Sequence, residues 1–147
     1  MSTKPVLVVC GSRAWSDPMS LWCHLDHICK NHRPLAFRPS AVWHGGATGA
    51  DCLASAWART NKIPVREFPA DWRQFGKRAG IMRSRDMLDA APAGSAVAAF
   101  VQPSLNQSRG TAFTVNESVS RHIATWLVVA GQPGWWICSP EGLRSIA

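Results

Sequence analysis

The sequence predicts an α/β protein in which helices pack on both faces of a parallel, five-stranded sheet. Two observations carry this reading. Short apolar runs alternate with longer amphipathic ones along the chain, which is the pattern of repeated strand–helix units. Most of the apolar runs are also unalternated, as strands buried on both faces are.

The strands are read at Pro5–Cys10 (PVLVVC), Ala41–His44 (AVWH), Pro64–Phe68 (PVREF), Ala96–Val101 (AVAAFV) and Trp135–Cys138 (WWIC). Helices are expected over 18–31, 49–61, 75–91 and 111–131, closed in turn by NHRP, NKIP, AAPAG and AGQPG. Right-handed crossovers and the usual doubly wound arrangement give the strand order 3-2-1-4-5 in a three-layer sandwich. Residues 1–147 fit one domain, without repeat, linker or low-complexity tract.

No run approaches the ~18 consecutive apolar residues of a membrane span, and the N-terminal apolar run is too short for a signal peptide. A cytoplasmic protein without a membrane partner is therefore expected. Five cysteines without C-x-x-C pairing argue against a disulfide framework and a structural zinc site. In CHLDHIC, His24 and His27 are three apart, but Cys29 shares the helix face of Leu25. Reduced thiols, no metal and no resident cofactor are the expectation.

Sixteen Lys and Arg against nine Asp and Glu give a formal charge of +7, which favours anionic partners. Part of the excess is local: Arg73, Lys77, Arg78, Arg83 and Arg85 lie in one stretch without an acid. Such a run is either a solvated face or an anion-binding one.

In the predicted sheet, ligands bind beyond the carboxyl ends of the strands where the chain changes direction. The loops there are CGSRAW (Cys10–Trp15), HGGATGAD (His44–Asp51) and QSRGT (Gln107–Thr111). Gly11, Gly45, Gly46 and Gly110 would allow close backbone approach, and Ser12, Thr48, Ser108 and Thr111 offer hydroxyls. Arg13 and Arg109 add forks suited to phosphate. The second and third loops open into helices, whose free N–H groups favour an anion. Thr48 and Asp51 also form T-x-x-D, a capping box, so Asp51 either caps its own helix or faces a ligand.

VLVVCGSR, HGGATGADCLASAWA, FPADW, AGIMRSRDML and SRGT, in this order, resemble the YspA-like family of the SLOG superfamily. That group includes the Lonely Guy phosphoribohydrolases and the DNA-processing protein A family. The resemblance spans roughly Pro5 to Cys138 and implies a Rossmann-like sheet with a nucleotide-type ligand at the glycine loops. By the same resemblance, Gly110 and Thr111 match the end of the Lonely Guy GG-x-GT loop, with Ser108 and Arg109 in place of its first glycines. Arg85 looks like the active-site arginine of that group. Its spacing from Ile81 and Leu88 independently predicts that it faces the fold. Asp71, Trp72 and Arg83, within the matched motifs, complete the ligand-binding candidates; Trp72 is read as either a base-stacking or a packing residue.

Two positions depart from the pattern. Thr114 stands where the Lonely Guy enzymes carry a glutamate, and Ser84 where asparagine is usual. Cleavage of an N-glycosidic bond passes through a cationic state that a carboxylate stabilises, and Glu117 is the acid nearest in sequence. Arg85 and Glu117 are thus the catalytic candidates. The function expected is binding of a nucleotide or nucleotide-derived molecule for sensing or sequestration. The alternatives are a nucleotide N-glycosidase or phosphoribohydrolase, and a nucleic-acid binder. A homo-oligomer is compatible with the sequence.

Overall fold

The computed structural model describes residues 4–36, 38–102, 109–132, 134–139 and 142–146. The chain runs β1 (Leu7–Gly11), α1 (Pro18–Asn31), β2 (Val42–His44), α2 (Ala50–Thr60), β3 (Val65–Glu67), α3 (Trp72–Phe75), α4 (Ala79–Ala90) and β4 (Ala96–Val101). It continues through α5 (Arg109–Ser120), β5 (Ala124–Val129), β6 (Trp135–Ser139) and β7 (Gly142–Ile146). One sheet forms in the order β3-β2-β1-β4-β5-β6-β7. The pairings from β3 to β5 are parallel, and β6 and β7 are added antiparallel.

This is the expected α/β architecture with a mostly parallel sheet, but the sheet is not five-stranded and not wholly parallel. The fifth parallel strand is ATWLVV, which lies inside the helix expected over 111–131, while WWIC belongs to antiparallel β6. The reason is local. Helix α5 closes on a pair of capping bonds, His122 N–H to Val119 O and Ile123 N–H to Ser118 O, with His122 in the left-handed region at φ 58°. That is the usual helix stop built without its usual glycine. Beyond it, the β-branched and aromatic residues of ATWLVV pair with β4 over its full length.

Strand alternation sorts the core into two layers. Leu7 and Val9 of β1 pack with Leu21, Leu25 and Ile28 of α1 and with Ala54 and Trp57 of α2. Val6 and Val8, pointing the other way, meet Met87 and Leu88 of α4. Strand β4 is buried along its whole length; Phe100 faces the α1–α2 layer, while Ala99 and Val101 face Val115 of α5. Each fully buried Val, Leu or Phe side chain contributes roughly 1.5–3 kcal/mol, so these layers fix where the strand ends lie. No helix among the described residues is long and apolar enough to cross a membrane.

Candidate ligand-binding cavity

At the carboxyl end of the sheet, β1 has β2 on one side and β4 on the other. Between them opens a cavity of about 390 Å³, bounded by the turn after β1, the β2–α2 loop, α4 and the start of α5. Its position is the one that the strand order dictates.

The turn after β1 is built by close approach. A Cβ on Gly11 would lie 2.7 Å from Ala50 Cβ and would strike the carbonyl of Phe100. Ser12 N–H donates to Phe100 O at 2.7 Å. The Ser12 hydroxyl donates to Gln102 O at 3.0 Å and accepts from Ala14 N–H at 3.2 Å. It ties the β1 turn to the end of β4 and is not a spare donor for phosphate. Arg13 is exposed and lines the cavity.

Three N–H donors of the HGGATGAD loop are engaged within it. Gly45 N–H and Ala47 N–H both donate to Asp51 Oδ2, at 3.1 and 3.2 Å, and Gly46 N–H donates to His44 Nδ1 at 2.9 Å. The capping box does not form. Gly49, at φ 73°, is the N-cap of α2 without a side-chain cap, and Thr48 is exposed. Gly49 is pressed onto the β1 turn, where a Cβ would sit 2.5 Å from Arg13 O, and Ala50 N–H donates to Ser12 O at 3.2 Å. Helix entry is therefore fixed by backbone contact, and Asp51 is free to reach back and brace the loop.

Asp51 is 5% exposed, and its Oδ1 has no hydrogen-bond partner. Burial holds its carboxyl above the usual carboxylate range, opposed by the two loop N–H groups. Arg83 reaches the same loop from α4, where Nη1 donates to Gly45 O at 3.0 Å while the buried Nε has no partner. Gly45 has to be glycine for this, since a Cβ would come within 2.6 Å of Arg83 Cζ. Cys10, beside them on the lining, is pushed far above its usual thiol range, first by burial and then by the charge of Asp51.

Arg85 does not face the fold. The buried residues of α4 are Ala79, Ser84, Met87 and Leu88, and Ile81, on which the inward placement rested, is 40% exposed. Arg85 is exposed, with its guanidinium 5.6 Å from the Phe113 ring centroid. Glu117 lies outside the lining as well: its Oε1 accepts from Arg121 Nε and Nη2 at 3.2 and 3.1 Å, and Arg121 also pairs with Asp89. At Thr114 the cavity presents a neutral hydroxyl, bonded to Gly110 O at 3.0 Å and to Ser84 Oγ at 3.1 Å. It cross-links α5 to α4.

Gly110 and Thr111 line the cavity from the first turn of α5, with Arg109 exposed beside them. Ser108 lies outside the described residues. Asp71 caps α3 by accepting from Gln74 N–H at 3.1 Å, and Trp72 is exposed; neither lines the cavity, nor do Gly46 and Thr48. The structure thus brings together Gly11, Ser12, Arg13, Gly45, Asp51, Arg83, Gly110 and Thr111. Sequence reasoning missed Cys10 and Met87 as lining residues; their signals were the strand position just before Gly11 and the i+4 spacing from Arg83.

A family model described as "YspA, cpYpsA-related SLOG family" matches residues 5–75, the segment that carries the first two loops. The Gene 61 protein of Mycobacterium phage D29 is 33% identical over 90 residues, covering 57% of this chain and 68% of that protein. The chain belongs to the YspA-related SLOG family. No solved structure matches it significantly. In this SLOG protein, Arg83 and the α5 terminus complete the cavity from outside the segment that the family model matches.

Proposed function

We propose that this SLOG protein binds a nucleotide or nucleotide-derived small molecule in the cavity at the end of β1, and senses or sequesters it. The observation that carries the reading is the pairing of a helix N-terminus with two arginines around one cavity: the first turn of α5, Arg13 and Arg83. Free N–H groups at a helix start and planar guanidinium forks are the standard means of holding a phosphate. Membership of the SLOG family supports a nucleotide-related role. The β2–α2 loop contributes differently, since the N–H groups of Gly45, Gly46 and Ala47 are engaged within it and Asp51 carries an acceptor. Thr114, where the Lonely Guy enzymes carry a glutamate, presents a neutral hydroxyl to the cavity, which favours binding over N-glycosidic cleavage.

Thermal unfolding against a panel of nucleoside monophosphates, dinucleotides and cyclic nucleotides tests this. At a hundredfold excess over Kd, a ligand stabilises the fold by about 2.7 kcal/mol. If no member of the panel moves the transition, the reading is wrong. Chromatography of the same mixtures separates binding from cleavage, with released base in multiple turnovers as the mark of an enzyme.

A second reading, nucleic-acid binding, is favoured by one surface. Trp72, Phe75 and Ile81 are exposed among Arg73, Lys77 and Arg78, cations without an ion-pair partner among the described residues. Exposed rings between cations suit stacked bases and their phosphates. A steep loss of oligonucleotide affinity with added salt would support it, and no binding at low salt would sink it.

A further inference from the structure

Two buried side-chain atoms at the cavity lack a hydrogen-bond partner among the described residues, the acceptor Asp51 Oδ1 and the donor Arg83 Nε. Buried polar groups are seldom left so. Both loop N–H bonds to Asp51 fall on Oδ2, so Oδ1 is the bare oxygen of a carboxyl that lines the cavity. A carboxylate there faces a conflict. Arg13, Arg83 and the first turn of α5 suit the cavity to an anion, and an anion seated among them brings a second negative charge toward the first.

The groups around Asp51 decide how the conflict resolves. Arg83 from α4 and His44 from β2 favour its ionised form. Cys10 from β1 adds no charge, because its thiol is held far above the usual range, and Glu67 from β3 lies against Gly46 as a further carboxylate on the loop. Arg83 makes one hydrogen bond among the described residues, to Gly45 O, and an arriving anion engages the same guanidinium. Asp51 then gains a like charge and loses part of its counter-charge. Both changes strengthen its hold on a proton, which burial already strengthens in the free protein.

Protonation also supplies a missing bond. A neutral carboxyl carries one O–H donor, and with Oδ2 kept by Gly45 and Ala47 the proton belongs on Oδ1. Oδ1–H and Arg83 Nε–H are then two donors for the oxygens of one anion. We propose that the cavity takes up its anion together with a proton from solvent, bound at Asp51 Oδ1 and donated to the anion, so that the site loads at lower pH and unloads as pH rises. This inference rests on the reading of the cavity as an anion site and adds the proton that travels with the ligand.

Isothermal titration of the whole chain with AMP and with inorganic sulfate, between about pH 6 and about pH 8, tests it. Affinity for both should fall at least about tenfold across that range, within the limit of one proton per site. Sulfate keeps its charge throughout, and the second ionisation of a phosphate monoester, near about pH 6, acts in the opposite sense. Repeating the titrations near about pH 7 in buffers of different ionisation enthalpy counts the protons, and the wild type should take up about half a proton or more per ligand. Asp51→Asn keeps an acceptor for the loop and puts an amide donor where the O–H would be. It should bind with less than about threefold change across the range and without proton uptake. Affinity in the wild type that is flat with pH, binding without proton uptake, or the same pH dependence in Asp51→Asn would overturn the proposal and leave anion binding standing. The wild-type measurements decide this even if the variant does not fold. If neither AMP nor sulfate binds at any pH, the anion-site reading falls with it.

Discussion

Asp51 braces Gly45 from the first turn of α2: a carboxylate oxygen accepts the glycine N–H at 3.1 Å, and the same oxygen takes Ala47 N–H at 3.2 Å. The negative charge that a helix N-terminus would otherwise draw from a ligand is thereby supplied by the chain itself. A glycine loop that looks made for phosphate becomes a wall carrying an acceptor. On the proposed function, the phosphate is held across the cavity by α5 and the arginines.

Replacing Asp51 by Ala strands two loop N–H groups. It should cost about 1–3 kcal/mol of stability, read as a fall in Tm with an otherwise native circular dichroism spectrum. A change within error would mean that the loop holds itself.

The same carboxyl gives stability a pH dependence with a definite sign. Burial raises its folded pKa above that of a free carboxyl, so the folded state binds the proton more tightly than the unfolded one. The contribution is fully present below the unfolded pKa and is lost as pH rises through the folded pKa. Relative to wild type, Asp51→Asn, which cannot ionise, should therefore gain stability as pH rises from about 4 toward neutrality. Parallel denaturation curves across that range check it, and a gain in the opposite direction contradicts it.

Gly45 and Gly49 separate two uses of glycine. Gly49 sits at φ 73° with backbone carbonyls of Ser12 and Arg13 against its Cβ position, so Gly49→Ala meets both strain and a rigid neighbour. It should lose about 1–3 kcal/mol, the cost of forcing a side chain into a sparsely populated backbone region. At Gly45 the obstacle is the Arg83 side chain, which can swing away. Gly45→Ala should leave Tm within about 0.5 kcal/mol of wild type and weaken ligand binding. Equal effects on stability would show that Arg83 is fixed.

Much of this was legible in the sequence, and the failures have physical causes. Buried strands such as AVAAFV announce themselves by continuous apolar runs, and the order of the central strands puts the cavity at the carboxyl end of β1. The second half of the expected fourth helix was misread because His122 stands in the left-handed position where glycine would have marked the stop. Arg85 was placed inward on the strength of Ile81, an apolar residue that helical spacing alone cannot tell from a core one; the buried stripe runs through Ser84, Met87 and Leu88. The T-x-x-D pattern was present, but contact between Gly49 and the β1 turn, sequence-distant and invisible to pattern, decided what Asp51 does.

Cys10, half-buried on the cavity lining, should react more slowly than the exposed thiols. Its thiol is held far above the usual range by burial and by Asp51, whereas Cys23 and Cys52 are exposed. Since the thiolate is the reactive form, brief alkylation with iodoacetamide at neutral pH should label Cys23 and Cys52 and spare Cys10, as read by peptide mass spectrometry. Early labelling of Cys10 in the folded protein would show that the cavity opens further than its walls suggest.

The arginines and Glu117 give the sharpest division between what lines the cavity and what surrounds it. Arg83 lies on the lining and holds the loop, while Arg85 is exposed beside Phe113 and Glu117 is paired with Arg121 one turn away. Truncating Arg83 removes a cation and a donor from the site, so Arg83→Ala should weaken nucleotide binding at least tenfold, about 1.4 kcal/mol. Arg85→Ala should change it by less than about threefold, the scale of an exposed contact. Glu117→Gln breaks a half-buried i, i+4 pair worth about 0.3–0.5 kcal/mol and should leave binding unchanged. Titration of the three variants with one ribonucleotide settles the order. Loss of binding in Arg85→Ala with retention in Arg83→Ala would move the site to the outer face of α4, and an effect of Glu117→Gln on affinity would mean that α5 turns its other face to the ligand.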